Sequence, residues 1–154
     1  MPSRREQIRM SEDEVRAFLA EQKTLQCATI GPRGWPHLVP LWYVPDGLEL
    51  RAWTFRKSQK ARNLERDPRA TIGIEAGEQY HELRGVMMEC TVELDYDVAS
   101  LERFGSELFR RYFGELNDDI RAMVAAQAPK RVGLRFVPRR IASWDHRKLA
   151  PGTY

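Results

Sequence analysis

Six basic side chains crowd the stretch "TFRKSQKARNLERDPR": Arg56, Lys57, Lys60, Arg62, Arg66 and Arg69 stand against only Glu65 and Asp67. The local charge over 54–69 is +4, whereas the whole chain of 154 residues is +3, so everything outside this stretch sums to −1. A duplex-binding protein needs a basic stripe matched to many phosphates; one short patch on a nearly neutral chain suits a compact anion. The residue order supplies the chemistry. An apolar strand ends in Thr54 and a turn follows, then a helix opening at Ser58, where unpaired backbone N–H groups and the helix dipole favour negative charge. Thr54 and Ser58 add hydroxyl donors, Lys60 a compact ammonium, and Arg56 a guanidinium fork for two anion oxygens. A solvated basic helix with a serine cap would have the same charges.

The surrounding elements read as a small β-rich domain. "SEDEVRAFLAEQ" starts with the capping box Ser11 and Glu14 and spaces Val15, Phe18 and Leu19 for a helix over about 12–22. "TLQCATIG" predicts a strand closed by "GPRG". "PHLVPLWYVP" predicts a second, with Asp46–Gly47 as a hairpin signal into a third, "LELRAWTF". The basic helix runs from about Ser58 to Arg66, stopped at Asp67–Pro68. "RATIGIEA" is a fourth strand. "HELRGVMMECTVEL" is a fifth, with Val86, Met88, Cys90, Val92 and Leu94 facing inward. Residues 97–127 are helical, broken at Gly114, and "KRVGLRFVPRRIASWD" is a final strand bent at Pro138.

Six strands with peripheral helices make a mainly β fold, a small barrel. The chain is read as one domain, 1–154, in which residues 1 to about 10 form a flexible N-terminal segment. The run "LVPLWYV" is apolar at every position, so that strand is expected to be covered on both faces, by a partner subunit or a flat ligand. Cys27 and Cys90 lie in apolar strands with no zinc spacing and read as buried, inert thiols. No metal site is expected. No apolar run reaches the ~20 residues of a spanning helix, and "MPSRREQIRM" has no apolar core of a secretory signal. The expectation is a cytoplasmic protein with neither a nucleic-acid partner nor a membrane span.

Four pieces taken in order, "ATIGPRGWPHLVPLWYV", "TFRKSQKARNLERDPRATI", "YHELRGVMMECTVE" and "RRIASWDHRKL", resemble the FMN-binding split β-barrel family of the pyridoxamine 5'-phosphate oxidase type. Within it they most resemble the B-type oxidoreductases that use the deazaflavin coenzyme F420. The resemblance covers roughly 10–150, and Thr54, Ser58 and Lys60 followed by "NLERDPR" are its most specific part. It implies a six-stranded split barrel, a homodimer, and two cofactors in grooves between subunits. The flat ring would lie near Pro40, Leu41 and Trp42, with the cofactor phosphate at Thr54, Arg56, Ser58 and Lys60. Asn63 either belongs to that pocket or holds the local turn. Trp144 and Lys148 either reach the partner's cofactor or, for Trp144, close the barrel. Lys57 and Arg62 are spare cations suited to a longer anionic ligand, the phosphodiester and glutamate tail of the deazaflavin.

The activity implied is hydride transfer from the reduced deazaflavin to a conjugated small-molecule acceptor. Because the cofactor carries the chemistry, the absence of a triad or paired carboxylates is consistent with it. Two alternatives stand beside this reading. One is an FMN-binding oxidase or reductase on the same fold, although "WDHRKL" only loosely echoes the ending of true pyridoxamine-phosphate oxidases. The other is a non-catalytic protein that binds cofactor, heme or lipid. His37, His81 and His146 are isolated and read as edge residues; His37 is nearest the expected ring. Trp53 and Phe55, on the strand face opposite Thr54, line either the pocket or, as the enrichment of aromatics at interfaces favours, a subunit interface, and Arg84 either occupies a family position or pairs with Glu82 or Glu89.

Overall fold

A computed structural model of the chain describes residues 1–152. Its seven strands are β1 (Thr24–Ile30), β2 (Pro36–Trp42), β3 (Val44–Asp46), β4 (Glu49–Phe55), β5 (Arg69–Ala76), β6 (Arg84–Asp95) and β7 (Arg131–Asp145). They form one sheet in the order β2-β1-β5-β6-β7-β4-β3, and every pairing is antiparallel. Seven strands appear where six were expected because the second segment changes partner at Tyr43. Before that residue it pairs with β1 at one edge of the sheet; after it, it pairs with β4 at the other. With no intervening loop, the sheet has to curl until its two edges meet at Tyr43. Pro36, Pro40 and Pro45 all fall on these edge segments, where a missing N–H breaks no central ladder.

Local chemistry accounts for the turns. Gly47 and Leu48 form a two-residue loop between Asp46 and Glu49. Gly47 holds a φ of 62°, the positive value required at the first position of a tight hairpin. The β6–β7 ladder shifts register between Glu89, paired with Arg140, and Cys90, paired with Pro138. The expected bend at Pro138 is therefore a bulge that leaves Arg139 over.

The curl encloses one core. Leu25 and Cys27 of β1, Ile72 of β5, Met88 of β6 and Phe136 of β7 all face inward and are buried, as strand alternation dictates. The five inward residues expected on β6 include four that are buried, with Leu94 packed at the margin. Burial pushes the thiols of Cys27 and Cys90 up to about 12, and both are unpaired. They are inert thiols, as expected.

Among the described residues five α-helices decorate the sheet: α1 (Arg4–Gln7), α2 (Glu12–Glu21), α3 (Gln59–Arg66), α4 (Val98–Phe113) and α5 (Asp118–Gln127). Both arms of the α2 capping box form, Glu14 N donating to Ser11 Oγ at 3.1 Å and Ser11 N to Glu14 Oε1 at 2.9 Å. Gly114 ends α4 with a φ of 82°, the expected break. The N-terminal segment carries the single turn α1. It is tied to β7 where Asp145 N donates to Ile8 O at 2.7 Å, and Met10 is buried in the core. A second, smaller core lies under α4 and α5, where Trp53 packs edge-on against Phe104 and Phe109. Gly105 is required there, because a Cβ on it would stand 2.5 Å from the Trp53 ring. Among the described residues no helix is long and apolar enough to cross a membrane.

Candidate functional site

The junction of β4 and α3 brings the central expected residues together. Thr54 is the last inward residue of β4 and is buried. Ser58 caps α3, its Oγ accepting from Ala61 N at 3.1 Å. Ala61 and Leu64 bury the apolar face of α3, which holds its first turn against the end of β4. Lys60 then turns inward, and its Nζ donates to Thr54 Oγ1 at 3.1 Å. Thr54 Oγ1 and Ser58 Oγ are 3.4 Å apart.

Lys60 is the anomaly in this cluster. It is only 7% exposed, yet among the described residues it forms no ion pair. Desolvation lowers its affinity for a proton; the nearby Cys27 opposes this and the charge of Arg131 adds to it. A desolvated ammonium costs several kcal/mol unless paired and hydrogen-bonded. One threonine hydroxyl leaves two of its three N–H donors free. The arrangement fits an oxyanion brought from outside.

The other expected residues divide. Arg56 is half-buried and aimed at main chain, its Nε donating to Arg131 O at 2.6 Å and its Nη2 to Tyr96 O at 2.8 Å. Its guanidinium lies over the Tyr96 ring at 5.2 Å. Lys57 and Arg62 are exposed at the surface of the patch. Asn63 is fully buried and ties α3 to β1: its Nδ2 donates to Thr29 Oγ1 at 3.0 Å, while its Oδ1 accepts from Gln59 Nε2 at 2.7 Å.

On β2 the alternation sends Pro40 and Trp42 outward and Leu41 half-buried toward the core. The strand expected to be covered on both faces is not covered within the single chain. Leu38 is 63% and Trp42 42% exposed, because β2 is an edge strand whose outer face is covered only in part, by the end of α4 at Trp42, among the described residues. Trp42 stacks on Tyr112 of α4 at 4.3 Å. A bay of about 160 Å³ lined by His37, Trp35 and Gln59 links this strand to α3. In it, His37 Nδ1 is buried without a hydrogen-bond partner among the described residues.

Trp144 and Lys148 lie elsewhere. Trp144 covers Gly85, where a Cβ would meet its ring at 2.1 Å. Lys148 Nζ is engaged by the chain's own N-terminal region, donating to Arg9 O at 2.9 Å and Glu14 Oε1 at 2.7 Å. Two further expectations are corrected. Trp53, expected at a subunit interface, is 6% exposed beneath α4, because that helix crosses the outer face of β4; Phe55 remains 48% exposed. Arg84 pairs with neither Glu82 nor Glu89 but with Glu21 of α2, at 3.1 Å, since α2 packs alongside the start of β6.

Sequence reasoning passed over Arg131. It faces Phe55 directly across the β4–β7 ladder, a relation no local spacing encodes. A strand-order signal, the repeated apolar alternation of β7, could have placed it.

The fold is thus a curled antiparallel sheet whose strand-to-helix junction carries a buried lysine with no ion pair among the described residues. The family model for pyridoxamine 5'-phosphate oxidase matches residues 11–145, and the chain belongs to that family. It is 44% identical to a conserved hypothetical protein of Mycobacterium tuberculosis, with a TM-score of 0.89, covering 99% of this chain and 96% of that one. An F420 reductase is 24% identical, with a TM-score of 0.68 over 82% of this chain and 94% of that one. The heme storage protein HutZ of Vibrio cholerae is 21% identical, with a TM-score of 0.67 over 86% and 94%. The latter two likenesses bear on the fold alone. No curated protein matches the chain.

Proposed function

We propose that this chain is an F420-dependent reductase acting as a homodimer in the cytoplasm. The observation that carries the reading is the Lys60 ammonium, buried beside two hydroxyls with no carboxylate partner among the described residues. A phosphate group at the Thr54–Ser58–Lys60 junction would supply the missing charge, and the free N–H groups at the start of α3 would share it. The partly uncovered outer face of β2 supports the dimer, since a second copy would bury Leu38 and Trp42. Pro40, Leu41 and Trp42 would then flank a flat ring in the groove between subunits and exclude water from it. Bound there, the reduced deazaflavin would supply a hydride to an electron-poor organic acceptor.

The test is turnover. Incubating the purified chain with reduced deazaflavin and a panel of quinones and enones is expected to oxidise the cofactor at a rate proportional to protein. Tight cofactor binding with no oxidation above the protein-free rate for any acceptor would contradict the reductase assignment and favour storage.

A further inference from the structure

β7 outruns one of its two neighbours. β6 pairs with it as far as Asp145, whereas β4 leaves it at Phe136, opposite Leu50. Beyond that point one edge of β7 faces no strand, and the barrel is split open along it. Among the described residues the open edge meets main chain once, where Asp145 N donates to Ile8 O at 2.7 Å. Met10 N beside it donates to Ser143 Oγ at 3.0 Å. The N-terminal segment therefore crosses the split without closing it. An open cleft of about 680 Å³ remains between that segment, Leu48 of the β3–β4 turn and residues 140–143 of β7. Its volume falls within the ~300–1,000 Å³ of small-molecule sites.

The cleft is apolar below and cationic above. Its floor is the margin of the core: Met10 and Val15 are buried there, with Leu48 and Ile141 half-buried against the same cluster. Its rim carries Arg5, Arg9 and Arg140. Arg5 and Arg9, one helical turn apart and both exposed, form no ion pair among the described residues. Arg140 has one long contact, to Glu89 at 3.5 Å. The two rim carboxylates are engaged within their own helices. Glu6 closes the α1 capping box, accepting from Ser3 N at 2.6 Å and Ser3 Oγ at 2.9 Å. These bonds hold its carboxyl below the usual range, with a smaller contribution from the charge of Arg9. Glu12 faces Arg16 at 3.5 Å. A hydrocarbon body gains by covering such a floor, and a guanidinium forks onto a carboxylate. A neutral apolar molecule would use one half of the cleft and a small hydrophilic anion the other.

We infer that the split is a second ligand site, shaped for a single-chain carboxylate whose apolar body lies along Leu48 and Ile141 and whose head is taken by Arg5 and Arg9. From Val132, which pairs with Thr54, to Arg140 the strand rises roughly 25 Å at about 3.3 Å per residue. The site is therefore remote from the Lys60 junction and stands whether or not a cofactor binds there. Its apolar residues lie beneath the arginines rather than protruding past them, which suits one free molecule and not a membrane surface.

The test is calorimetric titration of the full chain with dodecanoate, dodecanol and acetate, each kept below the concentration at which it self-associates. Saturable binding of one dodecanoate is expected, about tenfold tighter than dodecanol, with acetate showing no saturation. The Arg5→Gln/Arg9→Gln double variant alters only exposed side chains of a helix that buries nothing. It is expected to weaken dodecanoate about tenfold and to leave dodecanol within about twofold. Leu48→Glu, which sets a carboxylate on the floor, is expected to abolish dodecanoate binding. No saturable binding, equal affinity for dodecanoate and dodecanol, or unchanged affinity in the arginine variant would overturn the inference. So would displacement of dodecanoate by inorganic phosphate or FMN, which would put the chain in the Lys60 groove. Sedimentation with vesicles of anionic phospholipid, without binding of free dodecanoate, would make the arginines a membrane contact and overturn it as well.

Discussion

Replacing Lys60 with methionine is expected to make the ligand-free chain more stable and, at the same time, to weaken binding of the proposed anionic cofactor. The two effects share one cause. In the free chain the ammonium is buried against Thr54 with no opposite charge, so a methionine of similar shape removes a desolvation cost and leaves no cavity. Recovering on the order of 2 kcal/mol of the several that desolvation takes would raise the thermal midpoint by about 4–8 °C for a domain of this size. Ligand binding should move the other way. A hydrogen bond to a charged group is worth about 1.5–3 kcal/mol, so affinity for the deazaflavin should fall about 10- to 150-fold.

The pH dependence separates this account from a packing effect. Burial lowers the proton affinity of Lys60 in the fold relative to its usual 10.5. Below 10.5 there is therefore an interval in which the unfolded chain holds a proton at this position and the folded chain does not. Stability rises with pH there. The stability gap between the methionine variant and the unaltered chain should be widest below that interval and narrow as pH rises toward 10.5. Urea titrations of both proteins across that range measure it. A gap that stays constant, or an unaltered chain that is the more stable at neutral pH, would contradict an uncompensated lysine.

Tyr43→Ala is expected to cost about 3–5 kcal/mol, a large part of the 5–15 kcal/mol that holds a typical domain. Tyr43 is fully buried at the point where the chain passes from one sheet edge to the other. Its single hydroxyl proton is shared between Leu19 O at 2.7 Å and Gln22 O at 2.9 Å, anchoring the end of α2. Deleting the ring empties the seam of the barrel and frees the helix together. Tyr43→Phe should cost far less, about 1 kcal/mol, because Arg111 Nη2 also donates to Leu19 O and Gln22 O and keeps those carbonyls satisfied. The two groups back each other up, so Tyr43→Phe combined with Arg111→Met should cost more than the sum of the single changes. Strict additivity in denaturant melts would show that the two donors act independently.

What could be read in advance was what the chain encodes over a few residues. The Ser11–Glu14 capping box, the Asp46–Gly47 hairpin and the break at Gly114 are local arrangements of side chain and backbone. So is the site's nucleus: Thr54, Ser58 and Lys60 are close because a strand end, a turn and one helical turn must place them so. What escaped depends on contacts between distant segments. The switch of sheet edge at Tyr43 is invisible without knowing that β1 and β4 flank it, which is why six strands became seven. Trp53 looked like an interface residue because the helix that covers it begins 45 residues later, at Val98. Arg131 escaped because its position over Phe55 exists only once β7 pairs with β4. Lys148 finds Glu14 across nearly the whole chain. The apolar run of β2 was expected to be covered on both faces; among the described residues its outer face stays partly exposed at Leu38 and Trp42, and the proposed dimer would cover it.

The most direct test of the central claim is a binding titration of the purified chain, following quenching of its four tryptophans, with the deazaflavin and with FMN in separate experiments. Saturable quenching by the deazaflavin, at a dissociation constant at least about tenfold below that for FMN, is the predicted result. Tighter binding of FMN, or quenching by neither, would contradict it.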